Sequence, residues 1–407
     1  MDLMNLDVKG KRVLLRVDYN VALMDGKVAE PKRIEATIPT LRWLLERGAK
    51  VIILSHLGRP KGWDQSLSLK PVLETFREIS ARERLALKSV GLWDRPYPCR
   101  ELEERVGALG QSEVLFLDNL RFHPGEEKND LEFARGLARL GDFFVQEAFG
   151  AAHRAHASTD ALPGLLPSAF GFLVKRELSV LGRLLDKPAH PFVVLLGGFK
   201  VSDKIGAIEN LLLRGVDKIL VGGALAYTFL KANGSNVGKS PVQADWVERV
   251  RELMSRPKNA GKILLCRDHA IVRDIKKPGE ARVTPDANIE NDWMGADVGP
   301  KTLTLFGGVL GQAKTIFWNG PVGVMEVAPF DKGSSELARA IAGATQAGAL
   351  SVLGGGDTIY AVSRAGLDES AYTHISTGGG ATLEFLEGKE LPGIKAVERR
   401  GPFSALV

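Results

Sequence analysis

The stretch FVVLLGGFKVSDKIG, residues 192 to 206, contains the pattern on which the fold prediction depends. Its apolar start predicts a buried strand, its glycine pair predicts a turn, and the residues after the turn lead into a helix. Strands that are apolar throughout are typical of parallel sheets that helices cover on both faces. Runs of this kind alternate with amphipathic stretches along the whole chain, so we predict an α/β protein.

The predicted strands fall into two groups. They are RVLLRVD, AKVIILS, EVLFLDN and DFFVQEAFG in the first half, and FVVLLGG, KILVGG, KILLC, KTIFWNG, LSVLGGG and THIST in the second. Helices are predicted near 31–47, 69–83 and 129–140. The Pro- and Gly-rich stretch LPGLLPSAFG separates the halves, and the next stretch has helical periodicity that Pro188 ends. Because 407 residues exceed the size of one core, we predict two doubly wound parallel-sheet domains, 1–170 and 188–389, joined by an interdomain helix at 171–187.

Composition excludes several classes of protein. The chain is 44% hydrophobic and 25% charged, as in ordinary globular proteins, and its net charge is only +5. It has no Lys/Arg-rich tract, so we expect no nucleic-acid partner and favour acidic small molecules. Cys99 and Cys266 lack the C-x-x-C spacing of a zinc site, and neither a signal peptide nor an apolar run of membrane-spanning length is present. We therefore expect a cytoplasmic protein without a membrane partner.

The segment NGSNVGKS, residues 233 to 240, resembles the end of a P-loop, which requires G-x-x-x-x-G-K-S/T. Gly238, Lys239 and Ser240 match, but position 233 is Asn, and Gly234 lies one residue too close to the second glycine. The preceding ALAYTFLKANG reads as a helix with a glycine cap rather than a buried strand. We therefore predict that this segment is not a phosphate-binding loop.

Charged and polar residues, most of them Arg or His, follow the strands of the first half, where ligands bind in open α/β sheets. They are Asp18 and Asn20 with Arg33, then His56, Arg59, Arg121, His123, His153, Arg154 and His156. Singly, such residues are usually solvated surface. Their shared position after strands predicts a site for a compact, multiply anionic ligand. His153 and His156 could also form a metal pair, but no third ligand has suitable spacing, so we favour anion binding.

Glycines follow the strands of the second half instead. The segments are GGFKVSDKIG, VGGALA, NGPVGVMEV, GGGDT and STGGGATLE, each after an apolar run. Glycines at bare helix N-termini let backbone N–H groups approach phosphate. Lys200 and Lys204 add positive charge at the first segment. Asp357 is either a Mg²⁺ ligand beside a bound nucleotide or the N-cap of the helix that starts at DTIYAV.

Taken together, these segments resemble the signature blocks of the phosphoglycerate kinase family. The matching blocks are RVDYN, KRIEATIPTL, LSHLGRPKG, NLRFHPGEEKND, AFGAAHRAHAST, GGFKVSDKI, WNGPVGVME, GGGDT and STGGGATLEFLEGKELPGI, in family order over essentially the full chain. The resemblance implies two Rossmann-like domains, of which the N-terminal one binds 3-phosphoglycerate or 1,3-bisphosphoglycerate and the C-terminal one binds Mg²⁺ with ADP or ATP. It also implies a monomer, with a tail, 390–407, that packs back on the first domain.

The resemblance assigns roles to individual positions. For the phosphoglycerate it implies Asp18, Tyr19, Asn20, Arg33, His56, Leu57, Gly58, Arg59, Arg121 and Arg154. For the nucleotide it implies Gly198, Lys204, Gly222, Gly295, Asn319, Pro321, Glu326, Gly355, Gly356, Asp357 and Thr358, with Glu326 at the ribose and Asp357 at the metal. For the phosphoryl group in flight it implies Arg33, Lys200 and the amides of Gly378, Gly379 and Gly380.

The implied reaction converts 1,3-bisphosphoglycerate and ADP to 3-phosphoglycerate and ATP by direct in-line transfer. Its acceptor in the reverse direction is already an ionised carboxylate, so positioning and charge stabilisation are sufficient without a general base. Since the two ligands are assigned to different domains, we expect closure through the 171–187 helix and the loop at 376–380.

Three positions depart from the family pattern. Phe199 replaces a small residue, Met325 replaces an aromatic residue, and Ala22 replaces proline. Phe199 has enough bulk to narrow the nucleotide pocket, so we expect activity with a changed nucleotide affinity. A non-catalytic binding protein on the same fold is the alternative, against which the presence of both Lys200 and Arg33 speaks. A dinucleotide oxidoreductase is disfavoured because no G-x-G-x-x-G follows the early strands.

Overall fold

The structure is a computed structural model that describes residues 2–399. The chain divides into two compact units. The N-terminal unit contains the residues up to Leu178 and the segment that starts at Glu390, and the C-terminal unit is Ser179–Lys389. Among the described residues, no helix is both long enough and apolar enough to cross a membrane.

The N-terminal unit is built around a parallel sheet with helices on both faces. Its strands are β1 (Arg12–Arg16), β2 (Leu23–Met24), β3 (Lys27–Val28), β4 (Lys50–Leu54), β5 (Ser89–Trp93), β6 (Glu113–Leu117), β7 (Phe143–Gln146) and β8 (Ser168–Phe170). Its helices are α1 (Lys32–Glu35), α2 (Ile38–Glu46), α3 (Lys70–Arg82), α4 (Arg100–Gly107), α5 (Pro124–Glu127), α6 (Leu131–Ala138) and α7 (Phe172–Asp186), the last of which continues into the C-terminal unit. The six-stranded sheet has the order β5-β6-β4-β1-β7-β8, and β2 and β3 form a separate hairpin.

Side chains of the central strand alternate between two apolar cores. Val13 and Leu15 of β1 belong to the core that also contains Leu41 of α2. Leu14 points to the opposite face, into the core that contains Leu102 of α4. Because both faces of the strand are covered, its three middle residues are all apolar, as is typical of a doubly wound sheet.

The C-terminal unit repeats this architecture and adds a small antiparallel sheet. Its strands are β9 (Phe192–Leu196), β10 (Lys218–Val221), β11 (Ile263–Leu265), β12 (His269–Val272), β13 (Arg282–Val283), β14 (Met294–Val298), β15 (Thr315–Asn319), β16 (Leu350–Gly354) and β17 (His374–Ser376). Its helices are α8 (Ile205–Leu213), α9 (Leu225–Ala232), α10 (Val247–Ser255), α11 (Pro300–Gly311), α12 (Lys332–Gln346), α13 (Gly356–Arg364) and α14 (Gly380–Leu386).

The main sheet of this unit has the strand order of a Rossmann fold. All its neighbours are parallel, in the order β11-β10-β9-β15-β16-β17, while β13-β12-β14 is antiparallel. Strands β10 and β11 are added on one side of β9, and β15, β16 and β17 on the other, so the direction in which strands are added to the sheet reverses between β11 and β15. Ligands of such sheets bind at this switch point, beyond the carboxyl ends of the strands.

The last described helix, α15 (Pro392–Glu398), packs on the N-terminal unit. The backbone N–H of Gly393 donates to the carbonyl of Ala152 at 2.8 Å, and Val397 enters the core that contains Leu14. A Cβ at Gly393 would lie 3.0 Å from the Cα of Ala152, so this close approach favours glycine. Residues 400–407 of the predicted tail lie outside the described residues.

The predicted α/β class with parallel sheets is confirmed, and every predicted strand forms. The structure differs in several places, and its strands β2, β3, β5, β8 and β12–β14 have no counterpart in the sequence prediction. The helix predicted at 31–47 is divided into α1 and α2, with Pro39 in the first turn of α2. The stretch LPGLLPSAFG, read as a separator, contains the edge strand β8, which pairs with β7. A three-residue strand next to Pro167 and Gly171 has too little pattern to be predicted locally.

Candidate functional site

Asp18, Asn20 and Arg33 form a hydrogen-bonded group after β1. Nη1 of Arg33 donates to Oδ2 of Asp18 at 2.8 Å and to the carbonyl of Asn20 at 3.2 Å. Oδ1 of Asn20 accepts from the backbone N–H of Gly58 at 2.8 Å, which joins this group to the turn after β4. The side chain of Arg33 is 34% exposed, so its guanidinium is held in place and still reaches solvent.

Arg121 is the most deeply buried of the predicted rim arginines. Its Nη1 donates to the carbonyl of Gly58 at 2.6 Å, and its Nε lies 3.1 Å from Oε1 of Glu127. Its Nη2 is buried and has no hydrogen-bond partner among residues 2–399. Burial lowers the pKa of Arg121. A buried donor without an acceptor is costly, and an anionic ligand would satisfy it.

Arg16, at the end of β1, is a member of this cluster that sequence analysis missed. It is 1% exposed, its Nε donates to Oγ of Ser158 at 2.8 Å, and its Nη2 lies 3.4 Å from Nδ1 of His56. Burial, and then the charges of Arg16, Arg121 and Arg154, hold the pKa of His56 well below its ordinary value. His56 is therefore a neutral imidazole among cations. The available signal was a charged residue inside the apolar run RVLLRVD.

Two predicted substrate-binding side chains lie inside the core. Tyr19 is fully buried, and its hydroxyl lies 2.7 Å from Oγ1 of Thr37. Leu57 is 2% exposed. Their side chains therefore pack in the core beneath the turns that follow β1 and β4, and they are not exposed to a ligand. Arg59, in contrast, is exposed.

His123, predicted as a member of the anion rim, packs in an aromatic cluster. Its ring centroid lies 4.1 Å from that of Tyr97 and 5.2 Å from that of Phe133. Burial lowers the pKa of His123 to about 4. The ring is thus neutral and packed, and it adds no charge to the rim.

The other histidines stay beside the rim arginines. Nε of Arg154 donates to Nε2 of His153 at 3.2 Å, and Nδ1 of His156 lies 3.9 Å from Oε1 of the buried Glu126. Burial and the neighbouring arginines lower the pKa of His156 to about 4. Within the described part of the chain, no group of three potential metal ligands occurs.

In the C-terminal unit, three glycine turns contact one another at the switch point. The backbone N–H of Gly198 donates to the carbonyl of Pro321 at 2.8 Å, and Gly198 has φ +78°. A Cβ at Gly197 would lie 2.1 Å from the carbonyl oxygen of Pro321, and one at Gly222 would lie 2.6 Å from Cγ1 of Val322. Glycine is therefore required where the turns after β9, β10 and β15 meet.

Lys204 lies under these turns. It is 7% exposed, and its Nζ contacts Oδ1 of Asn319 and lies 3.2 Å from the carbonyl of the same residue. Nδ2 of Asn319 donates to the carbonyl of Gly354 at 2.7 Å, which ties the turn after β16 to the same point. Burial lowers the pKa of Lys204 to about 8, although Asp203 and Asp357 oppose the shift.

The segment Gly355–Thr358 starts α13. Thr358 is buried, donates to the carbonyl of Gly354 at 2.8 Å and accepts from the N–H of Gly320 at 2.7 Å. Gly355, with φ +95°, occupies the N-cap position, so the alternative reading of Asp357 as the N-cap is wrong. Asp357 is exposed in the first turn, and Gly356 beside it is exposed too. A carboxylate placed this way can hold a cation that a bound nucleotide also coordinates.

The remaining predicted residues lie in several different elements of the C-terminal unit. Gly378 donates its N–H to Oγ of Ser376 at 3.2 Å, Gly379 has φ +54° and Gly380 begins α14, after the strand that neighbours β16. Gly295 leaves room for Tyr227, whose Oη would lie 1.8 Å from a Cβ at that position. Glu326 and Lys200 are both exposed.

The departures from the family pattern have different consequences. Phe199 is 59% exposed, so its ring points into solvent and does not fill the turn that it follows. Met325 is 2% exposed and packs inside the unit. Neither side chain closes the edge where the glycine turns meet.

The segment NGSNVGKS is a connection that follows α9, as its missing first glycine predicts. The helix α9 ends before it, and Gly234 has φ +89°, which confirms the predicted helix with a glycine cap. Oγ of Ser240 accepts from the N–H of Gly295 at 2.9 Å, and the Lys239 side chain is 57% exposed, with Nζ 3.4 Å from Asp292. Lys239 and Ser240 thus have structural partners.

Comparison with known proteins reveals relatives over nearly the whole chain. The model of the family described as phosphoglycerate kinase matches residues 3–389. A phosphoglycerate kinase of Thermus thermophilus is 49% identical over 399 residues, 97% of this chain and 99% of the relative. That of Dictyoglomus turgidum is 44% identical over 400 residues, 98% of each chain.

Solved structures agree with these relatives. Phosphoglycerate kinase from Coxiella burnetii superimposes with a TM-score of 0.85 at 36% identity, and covers 98% of this chain and 99% of that one. The enzyme from Pyrococcus horikoshii OT3 gives a TM-score of 0.84 at 32% identity, with 98% of each chain covered.

Proposed function

Because the chain belongs to the phosphoglycerate kinase family, we propose that its N-terminal unit binds the phosphoglycerate and that its C-terminal unit binds the nucleotide. The chain catalyses the reversible glycolytic transfer of a phosphoryl group from 1,3-bisphosphoglycerate to ADP, which yields 3-phosphoglycerate and ATP. What remains to be assigned is which groups hold each ligand and how they act.

The unpartnered Nη2 of Arg121 carries the assignment of the phosphoglycerate. This donor belongs to a guanidinium on which the charges of Arg16 and Arg154 act, and the neutral His56 lies in the same group. A multiply charged oxyanion would give the donor an acceptor and reduce the repulsion among the arginines. Arg33 is already held by Asp18, so its guanidinium is oriented before the ligand arrives.

The nucleotide is assigned to the edge formed by the turns after β9, β10, β15 and β16. Backbone N–H groups at the starts of α13 and α14, together with Lys204, favour phosphate there. The carboxylate of Asp357 fits a Mg²⁺ ion, since magnesium in kinases is held by one or two carboxylates plus the nucleotide phosphates. When bound, this ion would neutralise phosphate charge. Glu326 is assigned to the ribose.

Transfer itself depends on charge stabilisation. We assign Lys200, Arg33 and the N–H groups of Gly378–Gly380 to the phosphoryl group in flight, in line between the donor and acceptor oxygens. Lys200 is exposed, so it is available to a ligand. No general base is required, because the acceptor in each direction, the carboxylate of 3-phosphoglycerate or the terminal phosphate of ADP, is already ionised at neutral pH. Transfer requires the two ligands to meet, and closure through α7 would bring them together and exclude water.

We also propose that the enzyme works as a cytoplasmic monomer. The two cysteines, Cys99 and Cys266, are both free, which suits a reducing compartment. Light scattering coupled to size-exclusion chromatography at micromolar concentration should give a mass near 44.1 kDa. A mass twice that value would contradict the monomer.

The assignment is tested with Arg121→Met. Loss of one charge-assisted contact should raise the Kd for 3-phosphoglycerate about ten- to a hundredfold and leave the Kd for Mg-ADP unchanged. The matched control is Arg100→Met, because the Arg100 side chain is 88% exposed and pairs with Glu104 on its own helix. Both variants are measured by calorimetry and by a coupled assay of ATP formation. If Arg121→Met binds 3-phosphoglycerate like the wild type, the ligand lies elsewhere.

A further inference from the structure

The N-terminus of α7 is capped by two side chains from distant parts of the sequence. The first N–H groups of a helix have no acceptor within the helix. Here the N–H of Phe172 donates to Oγ1 of Thr40 at 2.8 Å. The N–H of Leu173 donates to Oε1 of Glu147 at 3.2 Å, and that of Val174 donates to Oε2 at 3.3 Å. All three groups are therefore satisfied by side chains from α2 and from the end of β7 rather than by a local capping residue.

The two capping side chains also bind each other in a site closed to solvent. The hydroxyl of Thr40 donates to Oε1 of Glu147, and both residues are fully buried. Gly171 leaves room for the carboxylate, since a Cβ there would lie 2.1 Å from Oε2. Burial raises the pKa of Glu147 to about 7. A neutral serine or asparagine next to the helix would cap it at less cost, so capping alone does not explain a buried carboxylate.

Glu147 connects the helix to the segment that carries the anion rim. It directly follows β7, its backbone N–H donates to the carbonyl of Arg16 at 2.8 Å, and the chain beyond it leads to Arg154. Thr40 lies in α2, which follows the short helix α1 that carries Arg33. Both capping side chains thus belong to segments that also place rim cations.

We propose that Glu147 and Thr40 are positioning residues for phosphoryl transfer, which fix the direction of α7 and couple it to the occupied anion rim. The proposal rests on the closure proposed above. Neither residue touches a ligand. A ligand that shifts the segments holding Arg154 and Arg33 moves the acceptors of the first α7 N–H groups, and so favours one orientation of the helix.

Three variants test this role. Glu147→Gln keeps the shape of the side chain but replaces one of its two acceptor oxygens with an NH₂ group, so the N–H groups of Leu173 and Val174 no longer both have an acceptor. Thr40→Val removes the hydroxyl between Phe172 and Glu147. Thr40→Ser keeps that hydroxyl and is the conservative rescue. We expect Glu147→Gln and Thr40→Val to lower kcat about tenfold, with the Kd values for 3-phosphoglycerate and Mg-ADP within about twofold of wild type. Thr40→Ser should keep at least about half of kcat.

The matched control is Asp268→Asn. Asp268 is also a buried carboxylate that caps a helix, since it accepts from the N–H groups of Lys301 and Thr302 at the start of α11, at 3.0 and 2.8 Å. Its loss should lower the unfolding midpoint without changing kcat per folded molecule. If Glu147→Gln behaves in the same way, Glu147 is only a cap and the proposal is overturned.

Two further outcomes separate this proposal from the proposed function. A wild-type chain that forms no ATP would contradict the assigned activity, whatever the variants do. An active wild type with a Glu147→Gln variant whose ligand Kd values rise while kcat stays constant would contradict only the positioning role. If Glu147→Gln does not fold, the comparison of Thr40→Val with Thr40→Ser decides, and equal kcat values for that pair would refute the proposal.

Discussion

The buried amine of Lys204 should make nucleotide affinity depend on pH. Its pKa is lowered to about 8 because burial penalises the charged form, while Asn319 accepts from it without supplying a full negative charge. A nucleotide phosphate next to the amine would favour the charged form and return the pKa towards its ordinary 10.5 or above. Binding above pH 8 must therefore take up a proton.

The size of the effect follows from this shift. At pH 7 about nine-tenths of the amine is already protonated, whereas at pH 9 only about one-tenth is. The Kd for Mg-ADP should rise about tenfold between pH 7 and pH 9, or about 1.4 kcal/mol of binding free energy. The sign is fixed, because affinity falls as pH rises through the pKa of the free enzyme.

Calorimetry at pH 7, 8 and 9, in buffers of different ionisation enthalpy, measures both the Kd and the protons taken up. Lys204→Met should bind more weakly at pH 7 and should lose the pH dependence. Lys239→Met is the matched control, since Lys239 is a half-exposed lysine of the same unit and should keep the wild-type slope. A wild-type Kd that is constant from pH 7 to 9, or a slope that persists in Lys204→Met, would refute the reasoning.

Three other outcomes are expected. Lys200→Ala should lower kcat about a hundredfold or more, the scale of losing one transition-state donor; a raised nucleotide Kd with unchanged kcat would make Lys200 a binding residue only. Lys239→Ala should leave turnover within about tenfold of wild type, because that side chain pairs with Asp292 at the surface, and a larger loss in the ATP assay would reopen the P-loop reading. Small-angle scattering should give the smallest radius of gyration with 3-phosphoglycerate and Mg-nucleotide together, and equal radii for the free and ternary samples would contradict closure.

The sequence by itself determined the fold class and the general place of the site. Buried parallel strands are apolar along their whole length, and this is a local property, so FVVLLGG and KTIFWNG could be read as strands without any tertiary knowledge. Residues directly after such strands necessarily meet at one edge of the sheet. The rim arginines and the glycine turns were therefore predictable as two groups.

Only the tertiary structure decided which of those side chains are exposed after the strands and which pack inside the unit. Whether a histidine is a rim cation or a packed ring depends on neighbours that lie far away in sequence, and His123 packs on Tyr97 and Phe133. Arg16 reads as a strand residue until Ser158 and His56 are placed beside it. The pattern of a single sequence shows which positions of one helix or strand face the core. It does not show how deeply each side chain is buried once other elements pack against it.

The same reason governs the charges. The pKa of Lys204 is lowered because the residue is buried under the turn at Asn319, more than a hundred residues away in sequence. The pKa of Glu147 is raised because the residue is buried between β7, α2 and α7. The identity of a lysine or a glutamate is local information. Its protonation state depends on how much water remains around it after folding, so only the folded structure shows it.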